Sequence, residues 1–337
     1  MQNARLSLAL AAQEVQLPGE GRILCLRARA EDDLSALPKE RLDIVQSFQP
    51  DHAALTARGF HLLDAPAPTP YAAAIVFLPR SKPEAQLLIA QAVAATNGGL
   101  VLVDGQKTDG VDSLLKATRK LAGGPVSAFS KAHGKLFWFT GGGAFDDWAE
   151  TRVASPEGFR TVPGVFSADR IDRGSALLAE ALPAKLAGHV VDLGAGWGYL
   201  SRAILAREAV ERLDLVEAER LALDCARANV ADPRARFHWA DATSFTPDSP
   251  CDVVVMNPPF HAGRAGDPAL GQAFIDTAAR ILKPGGSLWM VANRHLPYEG
   301  RLATLFRDVT EAGGDSGFKI FYAQGPVRRR SAQRRGA

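Results

Sequence analysis

Short apolar runs, each broken by turn residues and several leading into a helical period, dominate the second half of the chain. "HVVDLGAGWGYLSRAILARE" (189–208) reads as a strand, a glycine-rich turn and a helix, and "RLDLVEAERLALDCARANV" (212–230) as a second strand and helix. "ARFHWADATSF" (235–245) reads as a strand and loop, and "CDVVVMNPPF" (251–260) as a fourth strand. "GQAFIDTAARILKPGG" (271–286) is a helix with a Lys-Pro-Gly-Gly stop, followed by a strand in "SLWMVANR". Strands alternating with helices predict a parallel sheet covered on both faces. In such sheets ligands bind beyond the carboxyl ends of the strands.

The first half repeats this pattern in four segments that match in order. "GRILCLRARAED" faces "GHVVDLGAGWGY", and "RLDIVQSFQPDHAALTA" faces "RLDLVEAERLALDCA". "AAAIVFLPRSKP" faces "CDVVVMNPPFHA", and "GGLVLVDGQKTDG" faces "GGSLWMVANRHLP". Polar and glycine positions diverge where the strands persist. Arg27, Arg29 and Glu31 stand in place of glycines, Gln46 in place of Glu217, and Leu78 in place of Asn257. The expectation is a duplicated α/β fold whose first copy keeps its strands and has lost its site. "GGGAFDDWAETRVASPEGFRTVPG" (141–164) breaks all periodicity and reads as the linker.

Composition and charge limit the setting. With 47% hydrophobic and 23% charged residues the chain reads as soluble and globular. No apolar run is long enough for a spanning helix, and "LSLALAA" near the start, with only Arg5 before it, is a poor signal peptide. Cys25, Cys225 and Cys251 lack a CxxC spacing and read as buried thiols of a reducing compartment, so a cytoplasmic protein without a metal site is expected. The net charge of +2 is unevenly placed: five of the 39 basic residues (Arg328, Arg329, Arg330, Arg334 and Arg335) lie in the last ten positions, against 37 acidic residues overall. Without them the folded body is slightly acidic. The 328–337 segment is expected to be disordered, either attracting phosphates nonspecifically or serving only solubility.

The candidate chemistry begins where the strand at 189 ends. Asp192, Gly194, Gly196 and Gly198 form D-x-G-x-G-x-G, which lacks the third glycine of the dinucleotide fingerprint. Glycines there permit positive φ and a close approach of ligand to backbone. Glu217 ends the next strand, where a carboxylate can accept both ribose hydroxyls, and Asp241 ends the third, placed for an adenine amine. Together they describe a pocket for an adenosine that carries no pyrophosphate.

With these residues in register, positions from about 164 to 325 resemble a class I S-adenosylmethionine-dependent methyltransferase. The resemblance implies two tandem Rossmann-like methyltransferase domains in an α/β fold: a degenerate one over 1–155, which could hold RNA or brace its neighbour, and a seven-stranded catalytic one over 156–327. It places the glycine loop at the methionine portion, Glu217 at the ribose, Asp241 at the adenine and Asn257 beside the cofactor as well as at the reacting nitrogen. Asn257-Pro258-Pro259-Phe260 resembles the N-P-P-[FY] signature of enzymes that methylate planar nitrogens. An amine conjugated to a ring is a poor nucleophile. The Asn257 side-chain oxygen and the Pro258 carbonyl can each accept one of its N–H bonds, which aims the nitrogen and stabilises the charge that develops on it. Phe260 can stack on the base.

"NPPFHAG", "VPGVFSADRIDRGSALL", "VANRHLPYE", "FKIFYA" and "RSKPEAQLLI" resemble the ribosomal RNA small-subunit guanine-N2 methyltransferases in particular. That implies methyl transfer to a guanine N2, with S-adenosylmethionine as cofactor and ribosomal RNA, bare or in the small subunit, as partner. Phe166 would then flank the cofactor, and Asp172, Gly174 and Ser175 would form a turn into the first helix. Pro259, Phe260, His261 and Arg294 become candidate substrate contacts, with His295 and Tyr298 near the same rim. Adenine-N6 or protein glutamine-N5 methylation, a non-catalytic assembly factor that keeps the pocket, and a dehydrogenase are the readings left open.

Overall fold

The computed structural model describes residues 4–150, 155–259 and 268–327, so Phe260, His261 and the 328–337 segment lie outside the described residues. The chain divides into two compact units, Met1–Val153 with Val162–Gly164, and Ala154–Thr161 with Val165–Ala337.

In the first unit, helices α1 (Arg5–Ala11), α2 (Gln49–Ala57), α3 (Lys82–Thr96), α4 (Val111–Leu121) and α5 (Asp146–Ala149) accompany seven strands. These are β1 (Ile23–Leu26), β2 (Leu42–Val45), β3 (Leu62–Leu63), β4 (Ala73–Phe77), β5 (Leu100–Gln106), β6 (Ser127–Lys131) and β7 (Gly134–Thr140), in the sheet order β3-β2-β1-β4-β5-β7-β6. Only β7 runs antiparallel to its neighbours. "LSLALAA" belongs to α1, where Leu6 and Ala9 are buried in the core and Arg5 pairs with Asp104 at 2.6 Å.

The second unit carries α6 (Arg173–Ala181), α7 (Tyr199–Leu205), α8 (Arg220–Asn229), α9 (Pro268–Ile281) and α10 (Glu299–Leu305). Its strands are β8 (Gly188–Leu193), β9 (Val210–Glu217), β10 (Ala235–Trp239), β11 (Cys251–Met256), β12 (Leu282–Asn293), β13 (Phe306–Gly314) and β14 (Phe318–Pro326). Their order, β10-β9-β8-β11-β12-β14-β13, repeats that of the first unit position for position, with β14 antiparallel. The duplication that the four segment matches predicted is therefore present as two tandem Rossmann-like units, each with a seven-stranded sheet.

The apolar runs are continuous because both faces of each sheet are covered. Val191, Leu193, Val254 and Met256 pack on one side with Phe274 and Ile275 of α9. Val190, Val253 and Val255 pack on the other with Leu178 of α6 and Ile204 of α7. One local expectation is corrected. The linker begins later than its composition suggested, because Phe145 is buried and its ring lies 5.6 Å from that of Phe139, ahead of α5. Helix α9 stops at Ile281, just before Lys-Pro-Gly-Gly as expected, and that segment is an excursion inside β12, which pairs with β11 at Leu282 and again from Ser287. All three cysteines are buried, and burial pushes the Cys25 and Cys251 thiols up to about 12. No helix among the described residues is long and apolar enough to cross a membrane.

The first unit keeps the backbone of the crevice and relines it with Arg27, Arg29, Gln46 and Asp51. Arg27 holds φ +62°, close to the +83° of Gly194 at the matching position. Gln46 accepts the Phe48 N–H at 2.9 Å much as Glu217 accepts that of Glu219 at 2.7 Å. Arg27 then pairs with the buried Glu84 at 2.9 Å, and Leu78 is buried where the second unit has Asn257.

A polar network stitches the second sheet across three strands. Asp214 on β9 is fully buried and meets His189 Nε2 at 2.6 Å, His238 Nε2 at 2.9 Å and Arg212 at 2.9 Å. A carboxylate only accepts, so both ring nitrogens must carry hydrogens. Burial pushes the Asp214 carboxyl up, but the three donors outweigh it and hold it well below the usual carboxylate range. Asp214→Ala is expected to cost about 3–5 kcal/mol in urea unfolding at neutral pH, as for other broken buried pairs. Because the folded-state value is depressed, this stability is present above the unfolded carboxylate value of about 4 and fades below it, so the gap between the two proteins narrows on acidification.

Candidate active site

The strand order reverses at β8. From there the chain steps outward to β9 and β10 on one side, then returns to β11 and β12 on the other. Loops that leave β8 and β11 diverge, and a crevice opens at their carboxyl ends. Phe166, Asp172, Ser175, Gly194, Gly196, Trp197, Tyr199 and Asn257 are among the residues that line it.

The three loop glycines are required for different reasons. All have positive φ (+83°, +56° and +93° at 194, 196 and 198). A Cβ on Gly194 would meet the Phe274 ring at 3.1 Å, and one on Gly198 would meet Val230 at 2.8 Å, so these two serve packing. Only around Gly196 of the three is the space open to 4 Å, and there a ligand can approach the backbone.

The acids around the loop are held by short bonds. Asp192 is fully buried, and burial raises its carboxyl to about 7, against the Ser201 hydroxyl that donates to Oδ2 at 2.6 Å and with a further push from Glu217. Its Oδ1 has no partner among the described residues. Glu217 takes the Gly196 N–H at 2.8 Å and the Glu219 N–H at 2.7 Å, and burial raises its pKa. Asp241, beyond the end of β10, accepts the Thr243 N–H and hydroxyl at 2.8 and 2.7 Å in a local turn. It does not line the crevice itself but follows the next strand out.

Asn257 leaves the end of β11 opposite the glycine loop. Its Nδ2 donates to Asp172 Oδ2 at 2.9 Å and to Ser175 Oγ at 2.8 Å, and its Oδ1 is buried with no partner among the described residues. Pro258 is buried and Pro259 is exposed. The carboxyl ends of β8, β9 and β11 thus bring together an opening onto bare backbone, the Asp192 and Glu217 carboxyl groups and an amide oxygen without a partner among the described residues.

Other residues are placed elsewhere, or were not foreseen. The Arg294 guanidinium donates to the Asp315 carbonyl and Glu311 carboxylate, each at 2.9 Å, and to the Phe318 carbonyl at 3.1 Å, so it ties the β13–β14 turn and does not line the crevice. Tyr298 is no rim group: it is fully buried, and a Cβ on Gly271 of α9 would collide with its hydroxyl. Phe166 is 60% exposed, and its carbonyl accepts the Trp197 indole N–H at 2.8 Å. Trp197 packs edge-on against Phe159 at 4.8 Å and Tyr199 at 5.9 Å. This aromatic wall was missed because its members look like ordinary core residues, although Trp197 inside a glycine loop was a signal.

A family described as "Methyltransferase small domain" matches residues 157–322. The ribosomal RNA small subunit methyltransferase C of Shewanella sp. (strain MR-7) is 30% identical over an alignment that covers 90% of this chain and 94% of that protein. Its counterpart in Hahella chejuensis is 29% identical, covering 94% and 97%. Among solved structures, the T. thermophilus 16S rRNA N2 methyltransferase RsmC, in complex with AdoMet and guanosine, shares the fold with a TM-score of 0.78 at 24% identity, over 93% of this chain and 90% of that one. With a two-unit fold common to both and sequence identity running nearly end to end, the chain belongs to the ribosomal RNA small subunit methyltransferase C family.

Proposed function

We propose that the protein transfers a methyl group from S-adenosylmethionine to the exocyclic N2 of a guanine in small-subunit ribosomal RNA. The observation that carries this reading is the Asn257 amide oxygen, buried and without a partner among the described residues, in a crevice shared with the glycine loop. A buried acceptor without a donor is costly, and an arriving amine N–H relieves that cost. S-adenosylmethionine, when bound, supplies an electrophilic methyl on a sulfonium.

The residues present fit that group. Gly196 leaves open space and the buried Asp192 Oδ1 lacks a partner among the described residues, while Glu217 ends β9 beside the loop and accepts the Gly196 N–H. We assign Gly194, Gly196, Gly198 and Asp192 to the methionine side, Glu217 to the ribose, Asp241 to the adenine, and Phe166 to the flank. Asn257 Oδ1 and the Pro258 carbonyl accept the two amine hydrogens and aim the nitrogen's lone pair. As the N–C bond forms the C–S bond breaks, and positive charge grows on nitrogen against these two acceptors. The proton leaves afterwards to water, so no strong base is required. Phe260, His261 and Pro259 are assigned to the base on the strength of the motif alone. The first unit, with Arg27 and Leu78 in its crevice, carries no cofactor in this reading and serves RNA binding or support.

Asn257→Ala is expected to lower kcat by about 10²-fold or more, as the loss of other positioned polar groups does, and to leave cofactor affinity within a few-fold. Labelled methyl transfer to ribosomal subunits from a strain lacking the gene, followed by nucleoside mass spectrometry, checks both the reaction and the base. N2-methylguanosine is the expected product. Methyladenosine, or label in protein, would pass the site to a different acceptor.

Gly196→Ala is expected to weaken S-adenosylmethionine binding about tenfold or more in calorimetric titration, because its Cβ enters the open space. The left-handed backbone adds only about 1–2 kcal/mol of strain. Undiminished affinity would remove the glycine loop from the cofactor site. Since the folded body is slightly acidic, assembled small subunits are expected to be methylated faster than deproteinised RNA. Equal initial rates on the two would show that protein or assembled structure contributes nothing to recognition.

A further inference from the structure

We propose that Asp172 and Ser175 are positioning residues for methyl transfer, locking the Asn257 amide in the one orientation that turns its oxygen toward the amine. This rests on the reading of Asn257 as the acceptor of the amine hydrogens. Which way an amide points is set by its partners, and here they leave no choice. Asp172 Oδ2 lies 2.9 Å from Asn257 Nδ2. A carboxylate oxygen only accepts, so a flipped amide would set two oxygens against each other. Ser175 Oγ, 2.8 Å from the same nitrogen, takes its second hydrogen. Both amide hydrogens are thereby engaged on the protein side, and Oδ1 alone faces the crevice without a partner among the described residues.

The lock is itself braced. Asp172 is the N-cap of α6, and the Oδ2 that holds Asn257 also accepts the Ser175 backbone N–H at 2.8 Å. Gly174 makes room for this double use: a Cβ there would sit 3.1 Å from Asp172 Oδ2 and 3.0 Å from the Phe318 ring. "DRGS" is thus more than a helix start; it carries the acceptor's orientation into the site. An amide held this way accepts and cannot donate into the crevice. The site therefore selects a substrate atom that bears hydrogen and rejects one that offers only a lone pair.

The proposal is tested with Asp172→Asn, Ser175→Ala and their combination, each also made with Asn257→Ala. Asparagine caps a helix about as well as aspartate, and alanine suits a helix better than serine, so the fold is retained. An asparagine at 172 can present its own NH₂ group, however, and the orientation is no longer enforced. Each single change is expected to lower kcat about tenfold, and the pair about a hundredfold, with KM for S-adenosylmethionine and thermal midpoint nearly unchanged. In the Asn257→Ala background neither change should lower kcat further, because residues that act as a unit are not additive. Wild-type turnover in the double variant, or losses that multiply with Asn257→Ala, would overturn the positioning role. Full turnover by Asn257→Ala alone would instead sink the acceptor reading beneath it, so the two failures are distinguishable.

Discussion

The parallel pairing of β8 with β11, Val253 to Val190 through Val255 to Asp192, is the constraint on which the site depends. Two neighbouring strands whose chain connections depart in opposite directions cannot have their following loops close over each other. One loop ends as bare glycine backbone and the other as Asn257, and they face across the gap that results. Nothing about either loop alone makes a site. The sheet, buried on both faces, holds them at a fixed separation.

The first unit tests how much of that follows from topology. It pairs β1 with β4 in the same parallel sense and repeats the strand order. Even the left-handed residue after the first strand is retained, now with an arginine side chain folded against Glu84. A fold can thus outlast its site, because strand pairing and core packing are insensitive to which side chains occupy the crevice. The same indifference lets Gln46 take over the backbone bonds that Glu217 makes in the second unit.

Some buried polar groups of the second unit are satisfied and some are not. Asp214, with three donors, holds strands together. Asp192 Oδ1 and Asn257 Oδ1 sit buried beside the crevice without partners among the described residues. Such groups cost stability in the free protein, a cost that a ligand's donors would relieve in the proposed reaction. Phe159, Trp197 and Tyr199 pack together at the rim, where Trp197 also donates to the Phe166 carbonyl.

The chain itself determined the local chemistry and the periodic order of its elements. Apolar runs ending at Asp192, Glu217 and Asn257 were readable because a strand buried on both faces must be continuous, and its polar terminus stands out. The duplication was readable because strand patterns survive the loss of a site. What lies far apart in sequence was decided only in three dimensions. Asp172 and Ser175 meet Asn257 across 85 and 82 residues, and no spacing rule predicts a hydrogen bond over such a distance. The separate duties of Gly194, Gly196 and Gly198 depend on Phe274 and Val230, which arrive from other helices and loops. Arg294 and Tyr298 looked like rim residues by position but are claimed by a turn and by the core, because burial and partners are properties of the packed fold and not of the neighbours along the chain.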